Sequence, residues 1–262
     1  MIADRLRALA AHREILFMIT WREVVVKYKQ SLMGFLWAIL MPLVIVGAGI
    51  LVRGGFAYLA HQPLRADDIA AVTLKSVPWA FAVASIRFAT NSLSSNANLV
   101  TRIYVPREIF PLSAIGSQLV DFGMAAVPLI IVLAIAGVGV SVQLLWVPLI
   151  VVILVLLVAA LGIVLSAGSL FFRDVKYLVE VMLTFAIFVT PVLYDVDTFA
   201  RWKTWLMLNP IAPLLEGLTA AVIHHRPPDL PWLAYSAGFT LVALLSAFAV
   251  FAKLEPRFAE SV

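Results

Sequence analysis

The sequence predicts an all-α membrane protein: six transmembrane helices, an amphipathic interface helix ahead of them, and re-entrant helices between spans 5 and 6. Three observations carry this. Of 262 residues, 63% are hydrophobic and 13% charged, with mean hydropathy +1.02. Soluble domains average about 45–50% apolar and about 25% charged residues, so lipid is the solvent for most of this chain. Disorder is excluded, because disordered chains are poor in apolar residues. The apolar residues also gather in continuous runs long enough to cross a bilayer as helices, unlike the ten-residue alternating strands of a barrel. Finally, the basic residues between those runs are unevenly divided.

The predicted spans are roughly 33–52, 70–91, 112–137, 145–170, 177–194 and 232–252, within one domain covering 1–262. The first 30 residues carry six basic ones and no short apolar core with a cleavage site, so no signal peptide is read there. An even number of spans puts both termini on one side. That side holds Arg5, Arg7, Arg13, Arg22, Lys27, Lys29, Arg102, Arg107, Arg173, Lys176, Lys253 and Arg257, twelve in all. The other holds Arg53, Arg65, Lys75, Arg201, Lys203 and Arg226, six in all. Lys and Arg favour the cytoplasmic side, so both termini are expected in the cytoplasm. The net charge of +4 then reads as an orientation signal rather than as nucleic-acid binding.

Residues 14–30 precede span 1. At 100° per residue Phe17, Trp21, Val24, Val25 and Tyr28 share one face, with Thr20, Glu23, Lys27 and Gln30 opposite. This is an amphipathic helix suited to the interface plane. It is either a passive anchor or a helix whose polar face also touches a cytoplasmic partner. Residues 96–112 link spans 2 and 3. Pro106 biases Val105 to extended geometry and suits the first turn of a helix, so the link is shaped rather than floppy. Its Arg102, Arg107 and Glu108 face a partner or headgroups, or else are solvated charges on a turn. Residues 171–178 form a short second link on the same side, where Arg173 and Asp174 are a possible exposed pair.

Residues 195–223 contain two pieces too short to span, as interfacial or re-entrant segments are. Asn209 is a candidate N-cap and Pro210 a candidate first helical residue. Trp202 and Trp205 suit a headgroup boundary. Two charges stand out within the spans, Arg87 and Asp121. Asp121 lies roughly 13 Å in from Leu112, at 1.5 Å per residue. A charge in lipid needs a partner, so an Arg87–Asp121 pair is expected, with snorkelling as the alternative for Arg87. Glu180 lies four residues after Lys176, a helical pair.

No catalytic pattern is present: no GxSxG, no HExxH, no GxxxxGK[ST] phosphate loop. The absence of cysteine excludes disulfides, thiolate metal sites and a cysteine nucleophile. No catalytic or metal-binding residues are therefore expected, and any ATP drive must come from another subunit.

Four blocks carry a family resemblance: KYKQSLMGFLWAILMPL at 27–43, NANLVTRIYVPREIFPL at 96–112, FFRDVKYL at 171–178, and TPVLYDVDTF with LNPIAPLLEG within 190–217. In their order and spacing the chain resembles the membrane subunit of type-2 ATP-binding-cassette exporters, in the branch exporting polysaccharides and polyol-phosphate polymers. The resemblance implies a bacterial inner-membrane permease working as two copies with two nucleotide-binding subunits, which bind the ATP and magnesium. It implies that Arg22, Lys27, Asn98, Arg102, Pro106, Arg107, Glu108, Arg173 and Asp174 lie where the ATPase docks. It implies an extracytoplasmic gate at 195–223 and a lipid-linked, O-antigen-like glycan as substrate. Trp37, Phe188, Tyr194, Trp202, Trp205 and Glu216 are then candidates for channel and gate. Aromatic rings offer flat apolar faces to the C–H faces of sugars, but the same rings suit lipid-facing belts. The alternatives are export of teichoic acid, capsule, a drug or a lipid and, with few ionisable groups in the spans, an ion-coupled carrier.

Overall fold

The computed structural model describes residues 2–29, 36–59, 61, 63, 66–102 and 105–258. Among the described residues the chain is helical with no strand. In order come α1 (Ile2–Ala11), α2 (Arg13–Lys29), α3 (Leu36–Leu59), α4 (Ala66–Ser95), α5 (Ala97–Arg102), α6 (Ile109–Ile135), α7 (Trp146–Phe171), α8 (Asp174–Val189), α9 (Lys203–Met207), α10 (Ala212–Val222) and α11 (Leu230–Leu254).

Local chemistry sets several of these boundaries. Asp67 and Asp68 open α4 and Asp174 opens α8, where carboxylates complement the positive end of the helix dipole. At the end of α6 the Val138 N–H reaches the Leu133 carbonyl at 3.0 Å and the Gly137 N–H reaches Ala134 at 3.1 Å. This doubled closure needs a left-handed residue between helix and exit, and Gly137 supplies it with φ +76°. Asn209 serves α10 from farther away than an N-cap. It sits ahead of the cap position, Ile211; its side-chain oxygen accepts from the Ile211 N–H at 3.1 Å, while its amide donates to Thr190 at 2.8 Å.

Among the described residues, five helices are long and apolar enough to cross a membrane: Ile39–Leu59, Ala66–Ser95, Ile109–Ile135, Val142–Phe171 and Leu230–Leu254. The run at 177–194 instead forms α8, of 16 residues. That is roughly 24 Å of helix against a hydrocarbon core of about 30 Å. Pro191 is the reason. It disfavours helical geometry at the residue before it, and Thr190 is extended at φ −104°, ψ 131°. The chain then turns inward, with Thr190, Val192, Leu193 and Tyr194 all buried.

Helix α4 is the centre of the bundle, packed against α6 and α7, with α3 on a further side and α11 against α7. One buried apolar cluster joins Phe81, Ile86 and Ala89 of α4 to Ile115 of α6 and Leu154, Leu157 and Val158 of α7. Close approach at this crossing rests on Gly162 of α7. A Cβ there would lie 2.8 Å from the Ala89 Cβ and 3.1 Å from the Ile115 Cδ1.

Helix α2 corrects the expectation for 14–30. The helix forms, but Thr20, Glu23 and Lys27 of its polar face turn inward onto α6, together with Val24 and Tyr28 from the edge of the apolar face. A Cβ on Gly116 would lie 3.0 Å from the Thr20 Cγ2, Ser113 donates to Glu23 at 3.3 Å, and Lys27 donates to Gln118 at 3.3 Å. Successive turns of α2 meet successive turns of α6, so the helix climbs along its neighbour. The cause is the hydrogen-bonding stripe Ser113, Ser117, Gln118 and Asp121 on α6, which needs polar partners where it is shielded from water. The exposed side of α2 carries Phe17, Met18, Trp21 and Val26.

Candidate functional site

Three clusters bring the candidate residues together, one in the middle of the bundle and one at each end. The middle one is a groove between α2, α3, α4 and α6, about 440 Å³ in volume. Its aromatic wall includes Trp37, Trp79, Phe88 and Phe122. Trp37 and Phe88 are 46% and 48% exposed, so their rings face open space. Lys27, Arg87 and Asp121 supply the charge. The expected Arg87–Asp121 pair does not form. Asp121 accepts from both Lys27 and the Tyr28 hydroxyl of α2. Arg87 makes a two-point pair with Glu180 of α8, at 2.7 Å for each contact. Asp121 is met first by the helix climbing beside it, and α8 crosses α4 at Arg87. Glu180 is therefore engaged across helices, while Lys176 lies 5.0 Å from the ring centroid of Tyr177. Lys27 also stands 5.3 Å from the Phe88 ring centroid, a cation–π distance.

The second cluster lies at the end where α1 and the close of α11 meet. Arg5 pairs with Glu108 and, at 2.5 Å, with Glu255. Arg107 donates to the Glu255 carbonyl at 2.7 Å and its guanidinium lies 5.5 Å from the Phe258 ring centroid. Burial opposes the charge on Arg5, but its two glutamates hold its pKa above the ordinary value. Glu108 is 1% exposed, so it is a positioning residue within the fold and not a surface contact. A cleft of about 580 Å³ opens beside it, lined by Arg5, His12, Pro106 and Arg107 among others. Removing Arg5 would strand the Glu108 carboxylate. Arg5→Ala is expected to destabilise by about 3 kcal/mol, as broken buried pairs do, and Glu108→Leu in that background to restore part of the loss. Thermal unfolding of the purified permease measures both; strictly additive losses would show that the two side chains are uncoupled.

The other proposed contacts on this side are spread out. Arg22 reaches Asn96 at 2.7 Å. Asn98 lies in α5, and the Arg102 side chain is outside the described residues. Arg173 and Asp174 are exposed at the start of α8. Burial pushes the Glu23 carboxyl up from its ordinary value, against the opposing pull of Ser113 and Arg22.

The third cluster, at the opposite end, contains the candidate Glu216, but sequence reasoning missed its partners Lys75, Arg53 and Asp195. Lys75 of α4 is 0% exposed and bonds Glu216 of α10 at 2.7 Å and Asp195 at 3.2 Å. Arg53 of α3 meets Asp195 through two N–H groups, at 2.9 and 2.7 Å, and Asp68 at 3.0 Å. Burial alone would raise the Asp195 pKa; Lys75 and Arg53 more than offset that and hold it below the ordinary carboxylate value. Just below on α4, Trp79 packs with Val192, Leu193, Tyr194 and Leu215. A signal was available: Lys75 lies five residues into the predicted span 70–91, yet it reads as one more basic residue near a loop. The remaining candidates do not converge. Tyr194 is buried and its hydroxyl donates to the Phe188 carbonyl at 2.8 Å, but the Phe188 ring faces outward. Trp202 and Trp205 are exposed at the surface of this end.

An open aromatic groove with fixed charges suits the passage of a large polar molecule better than chemistry on one. Among the described residues no group of His, Asp or Glu could hold a metal ion. Comparison with known proteins agrees with transport. The chain is 28% identical over 260 residues to the O-antigen export system permease protein RfbA of Myxococcus xanthus, covering 98% of each chain. Two Klebsiella pneumoniae proteins of the same name are 29% and 27% identical over 261 and 254 residues, with 94% of each chain covered. The model of the ABC-2 type transporter family matches residues 14–223. By that match, which covers most of its length, this multi-pass helical chain belongs to the ABC-2 type transporter family.

Proposed function

We propose that this permease exports a lipid-linked, O-antigen-type polysaccharide across the bacterial inner membrane, driven by a separate ATPase. The observation that carries the reading is end-to-end similarity to permeases named for O-antigen export. The groove gives it a physical basis. Trp37 and Phe88 offer stacking faces for sugar rings, and a groove open along one side is half of a conduit. A second copy of the chain, related by two-fold symmetry, would supply the other half. The exposed apolar side chains of α3 (Trp37, Met41, Val44) and of α8 (Val181, Phe185, Phe188) are compatible with lipid or with that second copy.

In this reading both termini are cytoplasmic. Two copies of the ATPase, which hold ATP and magnesium, dock beside the 105–108 cleft and the start of α8. Arg107 and Glu108 then transmit force through the clasp with Arg5 and Glu255. Helix α8 and the turn after it complete a sixth crossing, and residues 195–223 re-enter from the far side to close the exit. Affinity purification in detergent tests the assembly. An ATPase of separate sequence is expected in equal amount, and deletion of the permease is expected to trap the glycan inside the cell. A chain that purifies alone, with no ATPase able to energise transport, would overturn the reading.

A further inference from the structure

We propose that Lys75 is the anchor of a charge latch that holds the 190–217 segment against α3 and α4, keeping the extracytoplasmic exit shut. The inference rests on the reading of that segment as an exit gate and adds the device that locks it.

The latch joins four parts of the chain. Arg53 belongs to α3, Asp68 and Lys75 to α4, Asp195 to the turn after α8, and Glu216 to α10. Asp195 is the shared member, held by Arg53 and Lys75 together. Lys75 has no route to water in this conformation, since its side chain is fully buried. Moving the segment withdraws both carboxylates from the Lys75 ammonium at once, so the closed position is favoured by two charge contacts at a shielded site rather than by one surface pair. One turn deeper on α4, Trp79 holds the same segment by apolar contact with Val192, Leu193, Tyr194 and Leu215. The segment is thus held by charge above and by packing below.

The network is not saturated. The Arg53 Nε is buried without a hydrogen-bond partner. Its two cations also face three carboxylates, those of Asp68, Asp195 and Glu216. Buried polar networks that are only partly satisfied are less rigid than complete ones. That suits a clasp that has to open in each transport cycle better than a permanent staple.

The test uses the complete transporter, permease with its ATPase, in proteoliposomes loaded with carboxyfluorescein. Dye leak without ATP is read for wild type, Lys75→Met, Lys75→Arg, Glu216→Gln, the reversal Lys75→Glu and the double reversal Lys75→Glu with Glu216→Lys. A closed state open in roughly 1% of molecules has room for a leak about tenfold greater, and Lys75→Met and Glu216→Gln are expected to show it. Lys75→Arg is expected to stay tight, and the double reversal to leak less than Lys75→Glu alone. Gel filtration confirms that each variant is folded, and Glu216→Gln carries the test if Lys75→Met is not. Leu215→Asp, which breaks the packing on Trp79, separates the two ideas. If it leaks while folded Lys75→Met and Glu216→Gln do not, the latch is wrong and the gate stands. If none of the three leaks, the gate reading itself fails.

Discussion

Gly162→Ala is expected to disrupt the bundle, and Ala89→Gly is expected to repair it. The added methyl would sit 2.8 Å from the Ala89 Cβ and 3.1 Å from the Ile115 Cδ1. The first is closer than two carbons can approach, and the atom in the way is attached directly to the α4 backbone. Relief needs α4 and α7 to separate at the crossing that the apolar cluster of Leu154, Leu157 and Val158 depends on. Overpacking of this kind costs about 1–3 kcal/mol for small insertions, and Gly162→Val should exceed Gly162→Ala. In Gly162→Ala with Ala89→Gly the offending pair is exchanged, so the helices can keep their spacing. Thermal unfolding of the purified permease decides it. If Ala89→Gly leaves the Gly162→Ala defect untouched, the close approach seen here is not what limits packing.

Asp121→Leu is expected to loosen α2 from the bundle, and Lys27→Met to rescue it. The carboxylate binds two groups of α2, the Lys27 ammonium and the Tyr28 hydroxyl. Removing it leaves a cation in the groove. The Lys27 side chain is 32% exposed and can partly turn away, so the cost belongs below the range for fully buried pairs, at about 1–3 kcal/mol. Replacing the pair by two apolar side chains removes the charge that had to be compensated, and such swaps are often neutral or stabilising. A double-mutant cycle on unfolding temperature isolates the coupling. The same cycle on Arg87 and Asp121 is expected to be additive, since Arg87 is held by Glu180. A coupling there larger than between Lys27 and Asp121 would contradict the pairing described.

The two cases show which parts of the site could be read from the chain. The groove's residues were visible as residue types: Trp37, Lys27, Arg87 and Asp121 all stood out. Their partners were not. Asp121 had to have a cation, because a carboxylate in lipid needs one. Which cation depends on whether α2 lies flat or climbs along α6, and hydrophobic periodicity is silent on that. The same limit hid Arg5 and Glu255, which are far from Glu108 in sequence and beside it in space. It also reversed the reading of Glu108, from a surface contact to a buried positioning residue. Lys75 was missed because basic residues were counted for orientation, and counting cannot distinguish a snorkelling lysine from a sealed one.

The sequence by itself determined the solvent, the helical class, the family and the position of most breaks, because each depends on local terms. Runs of apolar residues set the spans. Pro191 and Gly137 mark local stops that a scan for apolar runs reads through, at 177–194 and 112–137. Only the tertiary structure decided which charges meet and which face of α2 is inward. Those outcomes turn on distances between helices distant in sequence, where a shift of a few ångströms separates a bonded pair from two stranded charges. Close packing fixes such distances, and Gly162 against Ala89 shows it, since no one-dimensional pattern encodes how near two backbones come.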